Sequence, residues 1–249
     1  MTLKNSSEIK ADQDSGQTKS RTDTRTALIL AAERIFSEEG ISKTSLRRIT
    51  QAAGQRNESA IHYHFGSREG VVEAILNLRT TAIDQARVAM LKSLRKVAGE
   101  QPLGSHQLAT VLTEPLANYL RESKGQSHYL RFLGMFWMDR PMWRKFSGHT
   151  RDEGLILVRD ALLQSKPHLP IVLVRQRYAY AIQMSTHILA RLERAVEEAG
   201  ASWDWVRAEV EIANLIDANA AIFDAPLSPA TIRALQAYGA LPANRQPGG

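Results

Sequence analysis

The sequence predicts an all-α protein, and three observations carry that prediction. Apolar residues recur at three- and four-residue steps from Thr22 almost to the C-terminus, the period of a helix that buries one face. No segment sustains the apolar–polar alternation of a strand, and neither Asn-Gly nor Asp-Gly, the dipeptides of tight hairpins, occurs. Glycines and prolines cut the periodic stretches into pieces of helical length. The one run that reads as a strand, Ile171-Val172-Leu173-Val174, continues through Tyr178, Ile182, Ser185 and Leu189 at helical steps, and so opens a buried helix instead.

The elements follow in order. Residues 1–22 are polar and aperiodic and read as a disordered arm. The first helix starts with Asp23 or Thr24 as cap, buries Leu28, Ala31, Ala32, Ile35 and Phe36, and ends at Gly40. A second, capped by Thr44 or Ser42, turns Leu46, Ile49, Ala52 and Ala53 inward and Arg47, Arg48 and Gln51 outward before Gly54. The connection Gly54-Gln55-Arg56-Asn57 leads to a third helix, Glu58 to Phe65, which Asn57 can cap. There Ile61, His64 and Phe65 share one side, and Ser59, His62 and Tyr63 another. A long helix from about Val71 to Val97 opens the larger body. Further helices are expected near 106–122, 127–139, 152–164, 171–198, 203–223 and 229–238. Pro141, Pro167 and Pro170 mark joints, Pro115 suits a helix start, and 239–249 is a flexible tail.

Composition narrows the function. A chain of 249 residues with 43% apolar and 23% charged residues can bury a sizeable core. Cysteine is absent, which removes disulfides, thiolate metal sites and cysteine nucleophiles. No apolar run approaches the roughly 20 residues that span a bilayer, and Met1 to Ser20 lacks the apolar stretch of a signal peptide. A cytoplasmic location and no membrane partner are therefore expected. The net charge of +6 suits a polyanionic partner without requiring one.

A short helix, a glycine-containing turn and a second short helix with a polar outer face form the layout of a helix-turn-helix, whose last helix lies in the DNA major groove. The residue types fit. Thr44, Arg47, Arg48, Arg56, Asn57, Ser59, His62, Tyr63 and Arg68 supply the hydroxyls and cations that contact phosphates and base edges. His62-x-His64 is no metal pair, because alternate helical residues point apart, and neither a metal nor a cofactor is expected.

The stretches Ala31-Ala32-Glu33-Arg34-Ile35-Phe36, Glu39-Gly40-Ile41-Ser42-Lys43-Thr44-Ser45-Leu46-Arg47-Arg48-Ile49, Ala52-Ala53-Gly54 and Tyr63-His64-Phe65-Gly66-Ser67-Arg68-Glu69 resemble the tetracycline-repressor-like (TetR) family of bacterial transcription regulators. The resemblance covers roughly residues 23 to 76. It implies a homodimer with an N-terminal helix-turn-helix domain, here 23–72, and a helical ligand-binding and dimerisation domain, here 73–238. It also implies repression of transcription, relieved by a small molecule. Thr44 stands at the family's phosphate-contacting hydroxyl, and Arg68 where the family usually has a lysine. Two departures are the connection to Phe65, one residue longer than the common pattern, and His62 in place of an aromatic residue.

In the body, Leu133-Gly134-Met135-Phe136-Trp137-Met138 and Met142-Trp143 form the richest Met and aromatic cluster. It suits plain core or the lining of an apolar pocket. Phe136, Trp137, Trp143, Tyr178, Met184 and His187 are the pocket candidates for a bulky, apolar effector. The last long helices, 171–198 and 203–223, carry more apolar surface than one face needs. Ile182, Leu189, Val210, Leu215 and Ile216 are the candidates for a four-helix dimer interface, with intrachain core as their other use. Enzyme motifs are missing: no Gly-x-Ser-x-Gly, phosphate loop, Gly-x-Gly-x-x-Gly or His-Glu-x-x-His. The expected function is a sequence-specific regulator binding a palindromic double-stranded DNA operator. The competing readings are an all-helical small-molecule binder or enzyme without specific DNA recognition, and a nonspecific DNA-compacting protein.

Overall fold

The computed structural model describes residues 6–55, 59–146 and 152–241, without the side chains of 6–22. Its helices are α1 (Ser6–Glu39), α2 (Leu46–Ala52), α3 (Ser59–Phe65), α4 (Arg68–Ala98), α5 (Ser105–Ser123), α6 (Tyr129–Met138), α7 (Arg140–Phe146), α8 (Glu153–Ser165), α9 (Ile171–Ala199), α10 (Trp205–Asp224) and α11 (Pro229–Ala237). No strand occurs among the described residues, as the helical period predicts.

The small N-terminal unit is built around the inward face of α1. Leu28, Ile29, Ala32, Ile35 and Phe36 are buried together with Ile41, Ile49, Ile61, Val71 and Val72 from the following loop and helices. Gly40, Gly54 and Gly66 all take positive φ (88°, 71° and 72°), so the first three helices end where the sequence puts glycines. The backbone of α1 begins at Ser6, earlier than the expected Thr22. Residues 1–22 contain no proline to stop a helix from extending back. Residues 1–5 and 242–249, the outer parts of the expected arm and tail, lie outside the described residues.

Core packing does not stop at the edge of this unit. α1 lies against α4 and α6 as well as α2, and the Phe36 and Phe132 rings sit 6.3 Å apart. α4 runs unbroken through the boundary expected at residues 72–73. In the body, α9 is the central element, packed by α5, α6, α8 and α10.

Two expectations are corrected. Pro115 lies inside α5 rather than at its start. It forfeits the bond to the Val111 carbonyl at a cost of about 3 kcal/mol. The buried side chains of Leu108, Leu112, Leu116 and Leu120 hold α5 against its neighbours regardless. The region after Met138 is not a simple joint either. Asp139 ends α6 and starts α7, with Pro141 in its first turn, where the missing N–H has no helical partner to lose.

Candidate nucleic-acid interface and internal cavity

On the N-terminal unit, α2 and α3 present one polar surface. Arg47, Arg48 and Gln51 of α2 and Ser59, His62 and Tyr63 of α3 are exposed, while Ile49 and Ile61 are fully buried. Tyr63 is 64% exposed despite its large ring. Arg48 pairs with Glu39, a surface ion pair of the weak kind that a phosphate can replace. The His62 ring lies with Nδ1 3.0 Å from the Gly66 carbonyl, which orients its other edge outward. Arg56 and Asn57, also expected on this surface, lie outside the described residues.

Two of the expected DNA contacts are spent inside the unit. Thr44 is buried, and its hydroxyl donates to the Gly40 carbonyl at 2.8 Å. The N-cap of α2 is Ser45, one residue beyond the expected Thr44, and it accepts from the Arg48 amide. Arg68 is half-buried and donates from Nη2 to the Thr44 carbonyl at 2.7 Å. It ties the start of α4 to the loop before α2.

Gly70 was not singled out by sequence, yet it sets how closely α4 crosses the end of α3. A Cβ there would sit 1.9 Å from the Phe65 carbonyl oxygen.

The body holds a cavity of about 470 Å³ that opens to solvent beside the exposed Arg140 and Gln183. One wall is aromatic: Phe136 and Trp137 of α6, with Trp143 and Phe146 of α7. The facing walls carry Leu76, Thr80, Ile83 and Arg87 of α4, Leu155 and Arg159 of α8, and Tyr178 and Thr186 of α9. Four of the six expected pocket residues, Phe136, Trp137, Trp143 and Tyr178, therefore line one space. Met184 and His187 do not. At about 100° per residue, Met184 sits roughly a third of a turn, and His187 roughly half a turn, around α9 from the inward stripe of Tyr178, Ile182 and Ser185; Met184 is half-buried and His187 exposed.

Polar groups in the lining are largely tied down. Thr80 and Tyr129 share a hydrogen bond of 2.8 Å, and Tyr178 donates to the Leu155 carbonyl at 2.5 Å. Burial pushes both phenols above the usual tyrosine range. Arg87 donates from Nη1 to Asp84 at 3.0 Å, and the other Asp84 oxygen accepts the Gly154 amide at 2.8 Å.

Two buried carboxylates fix the N-terminus of α6. Glu33 of α1 accepts from the His128 amide (3.1 Å) and from Arg79 Nε (2.9 Å). Glu193 of α9 accepts from the amides of Leu130 (3.1 Å) and Arg131 (3.0 Å), and Arg131 Nε lies 3.3 Å away. Desolvation raises Glu193 to about 7 in spite of these bonds. Desolvation, and then the Arg131 cation, lower His128 below the usual histidine range. The signal was present in sequence: Glu33 shares a stripe with Ile29 and Phe36, and Glu193 with Leu189 and Val196.

The expected dimer residues divide. Leu189, Leu215 and Ile216 are buried within the chain, and Ile182 lines the cavity. Only Val210 among them is exposed, at 68%. The physical reason is that α10 is covered by both α5 and α9, which uses the apolar surface that exceeded one face. The outward surface of α9 and α10 carries Tyr180, His187, Val206 and Val210 instead.

A three-helix head with a polar outer face, set on a helical body, is the architecture of helix-turn-helix DNA-binding proteins. Residues 28–75 match the family profile of bacterial regulatory proteins, tetR family. None of the curated proteins matches the chain. Among solved structures, a TetR family transcription regulator from Marinobacter aquaeolei VT8 shares the fold, with a TM-score of 0.50 at 15% identity over 82% of this chain and 97% of that one. A putative TetR-family transcriptional regulator from Mesorhizobium loti MAFF303099 matches at a TM-score of 0.43 and 13% identity, over 82% and 96% of the two chains. NalD, the secondary repressor of the MexAB-OprM multidrug efflux pump in Pseudomonas aeruginosa, matches at 0.39 and 17%, over 79% and 94%. Among the described residues, no helix is long and apolar enough to cross a membrane.

Proposed function

We propose that the chain is a cytoplasmic, homodimeric transcriptional repressor that binds a palindromic DNA operator and releases it when a small, largely apolar effector fills the cavity. The observation that carries this reading is the continuous chain of elements from the polar α2–α3 surface to the cavity wall. α4 starts at Arg68, which holds the Thr44 carbonyl, and two turns later contributes Leu76, Thr80, Ile83 and Arg87 to the lining. α6 contributes Phe136 and Trp137, and its N-terminus is bonded to Glu33 of α1.

Residues 23–72 are the DNA-binding unit in this reading and 73–238 the effector and dimerisation unit. Arg47, Arg48, Ser59, His62 and Tyr63 meet DNA directly, while Arg68 and Thr44 position α2 and α3. Arg56 and Asn57 are further proposed DNA contacts on sequence grounds. The dimer forms through the outward faces of α9 and α10, around Tyr180, His187, Val206 and Val210. Two recognition helices then enter successive major grooves about 34–36 Å apart. The effector shifts the equilibrium only by its differential affinity for the DNA-competent and released states. The chain acts by binding, with no catalytic residue.

Selection of bound duplexes from a random pool, followed by anisotropy titrations over a salt series, tests this. The expected result is an enriched palindrome whose affinity falls in both Tyr63→Ala and Arg47→Ala, with the Arg47 variant, which removes one phosphate contact from each protomer, lowering the salt slope by about 1.8. Sedimentation should give a dimer that Val210→Glu weakens. Binding without an enriched motif would indicate a compacting protein, and no binding to any duplex would leave an all-helical small-molecule binder.

A further inference from the structure

The proposed effector site has a chemical bias that its apolar lining conceals. Among the described lining residues, side chains that only donate hydrogen bonds, the guanidinium groups of Arg87, Arg140 and Arg159 and the indoles of Trp137 and Trp143, outnumber those that only accept. The sole carboxylate in the described lining is Asp152. Two of these donors, Arg87 Nε and Trp137 Nε1, are buried without any hydrogen-bond partner, and so is the hydroxyl of Thr186. Buried donors left unpaired are a standing cost, which an acceptor on an occupant can remove.

The charges differ in how firmly they are held. Arg87 is 3% exposed and already neutralised by Asp84, so it offers hydrogen bonding rather than net charge. Arg159 is paired with its chain neighbour Asp160, but both side chains are substantially exposed (37% and 46%), and such a pair exchanges readily. Arg140 is exposed and lies with its guanidinium carbon 6.0 Å from the centre of the Trp143 ring. Two exchangeable cations therefore border a space whose α6–α7 wall is four aromatic rings, with Trp137 and Trp143 6.2 Å apart and Phe136 and Phe146 6.4 Å apart.

Resting on the reading of this cavity as the effector site, we infer that the effector is a planar aromatic acid. Its ring system lies among Phe136, Trp137, Trp143 and Phe146, and its carboxylate faces Arg140 and Arg159. The volume of about 470 Å³ falls within the roughly 300–1,000 Å³ of small-molecule sites. Aromatic rings offset against one another accept a flat occupant with little side-chain rearrangement, and a guanidinium binds a carboxylate through two parallel N–H bonds.

The test uses three probes of one shape and different charge: 2-naphthoate, 2-naphthamide and 2-naphthylmethylammonium. Each is titrated calorimetrically into the full chain with no DNA present, so that the outcome is independent of whether the chain binds an operator. The naphthoate should bind at least about tenfold more tightly than the amide, and the ammonium most weakly. In the Arg140→Gln/Arg159→Gln double variant the naphthoate-to-naphthamide ratio should fall towards one, with the melting temperature confirming an intact fold. Equal affinities, a preference for the ammonium, an unchanged ratio in the folded double variant, or no binding by any probe would each overturn the inference. Failure of the duplex selection would instead overturn the regulator reading and leave this result standing.

Discussion

The Ser42 hydroxyl donates to the Asp139 carboxylate at 2.5 Å, joining the loop before α2 to the α6–α7 junction 97 residues away in sequence. Asp139 does more than receive this bond. Its other carboxylate oxygen accepts the Met142 amide at 3.2 Å and its carbonyl accepts the Trp143 amide at 2.8 Å, so it is the cap on which α7 starts. With Glu33 bonded at the opposite end of α6, that helix touches the N-terminal unit at both ends while its middle lines the cavity. Removing only the head's side of the link, with Ser42→Ala, should cost about 0.5–1 kcal/mol. Asp139→Ala loses the link and the cap together and should cost about 1–2 kcal/mol. Urea denaturation of both variants checks the order, and an equal or larger loss for Ser42→Ala would mean the cap contributes nothing.

Gly70 and Gly66 separate two uses of glycine at the same corner. Gly66 has φ 72° with open space around the position of a Cβ, so Gly66→Ala should cost only the left-handed backbone strain, about 1–2 kcal/mol. Gly70 has no unusual φ, but its added Cβ would meet the Phe65 carbonyl oxygen at 1.9 Å, an atom of the backbone that cannot rotate away. Gly70→Ala must therefore push α4 off the end of α3. Its cost should exceed that of Gly66→Ala, reaching about 3 kcal/mol or more. Amide exchange across 28–65 should rise more in the Gly70 variant than in the Gly66 variant, while α9 and α10 stay protected in both.

Much of this architecture was legible because it depends on local chemistry. The glycines at 40, 54 and 66 punctuate the head, and the alternation of Ile49 and Ile61 with Arg47, Ser59, His62 and Tyr63 separates its inner from its outer face. What escaped depends on partners distant in sequence. Nothing near Arg68 indicates that it holds the Thr44 carbonyl, and nothing near Gly70 shows how closely α4 crosses α3. The pocket expectation joined Met184 and His187 to Tyr178 by residue type alone. The 3.6-residue period places them on a different side of α9. Leu189, Leu215 and Ile216 were apolar enough for a dimer surface, but hydrophobicity does not say whether the covering helix comes from the same chain. Here α5, α6 and α8–α10 supply the cover.

Glu193 gives a pH dependence whose sign follows from its burial. Its carboxyl is raised from the ordinary 4.5 to about 7, chiefly by desolvation, so the folded chain holds this proton more tightly than the unfolded chain does. Between about pH 4.5 and 7 the folded state then binds more protons, and stability falls as pH rises through that window. Below it the contribution is fully present; above it the ionised, buried carboxylate is a full penalty, reduced by the amides of Leu130 and Arg131 and by the Arg131 cation. Glu193→Gln keeps an acceptor for one of these amides and does not titrate. Unfolding free energies measured at pH 5 and pH 8 should therefore fall more for the wild type than for the variant. If both lost the same amount, or the wild type lost less, Glu193 would be ionised throughout, and the amide and guanidinium bonds at the start of α6 would outweigh desolvation.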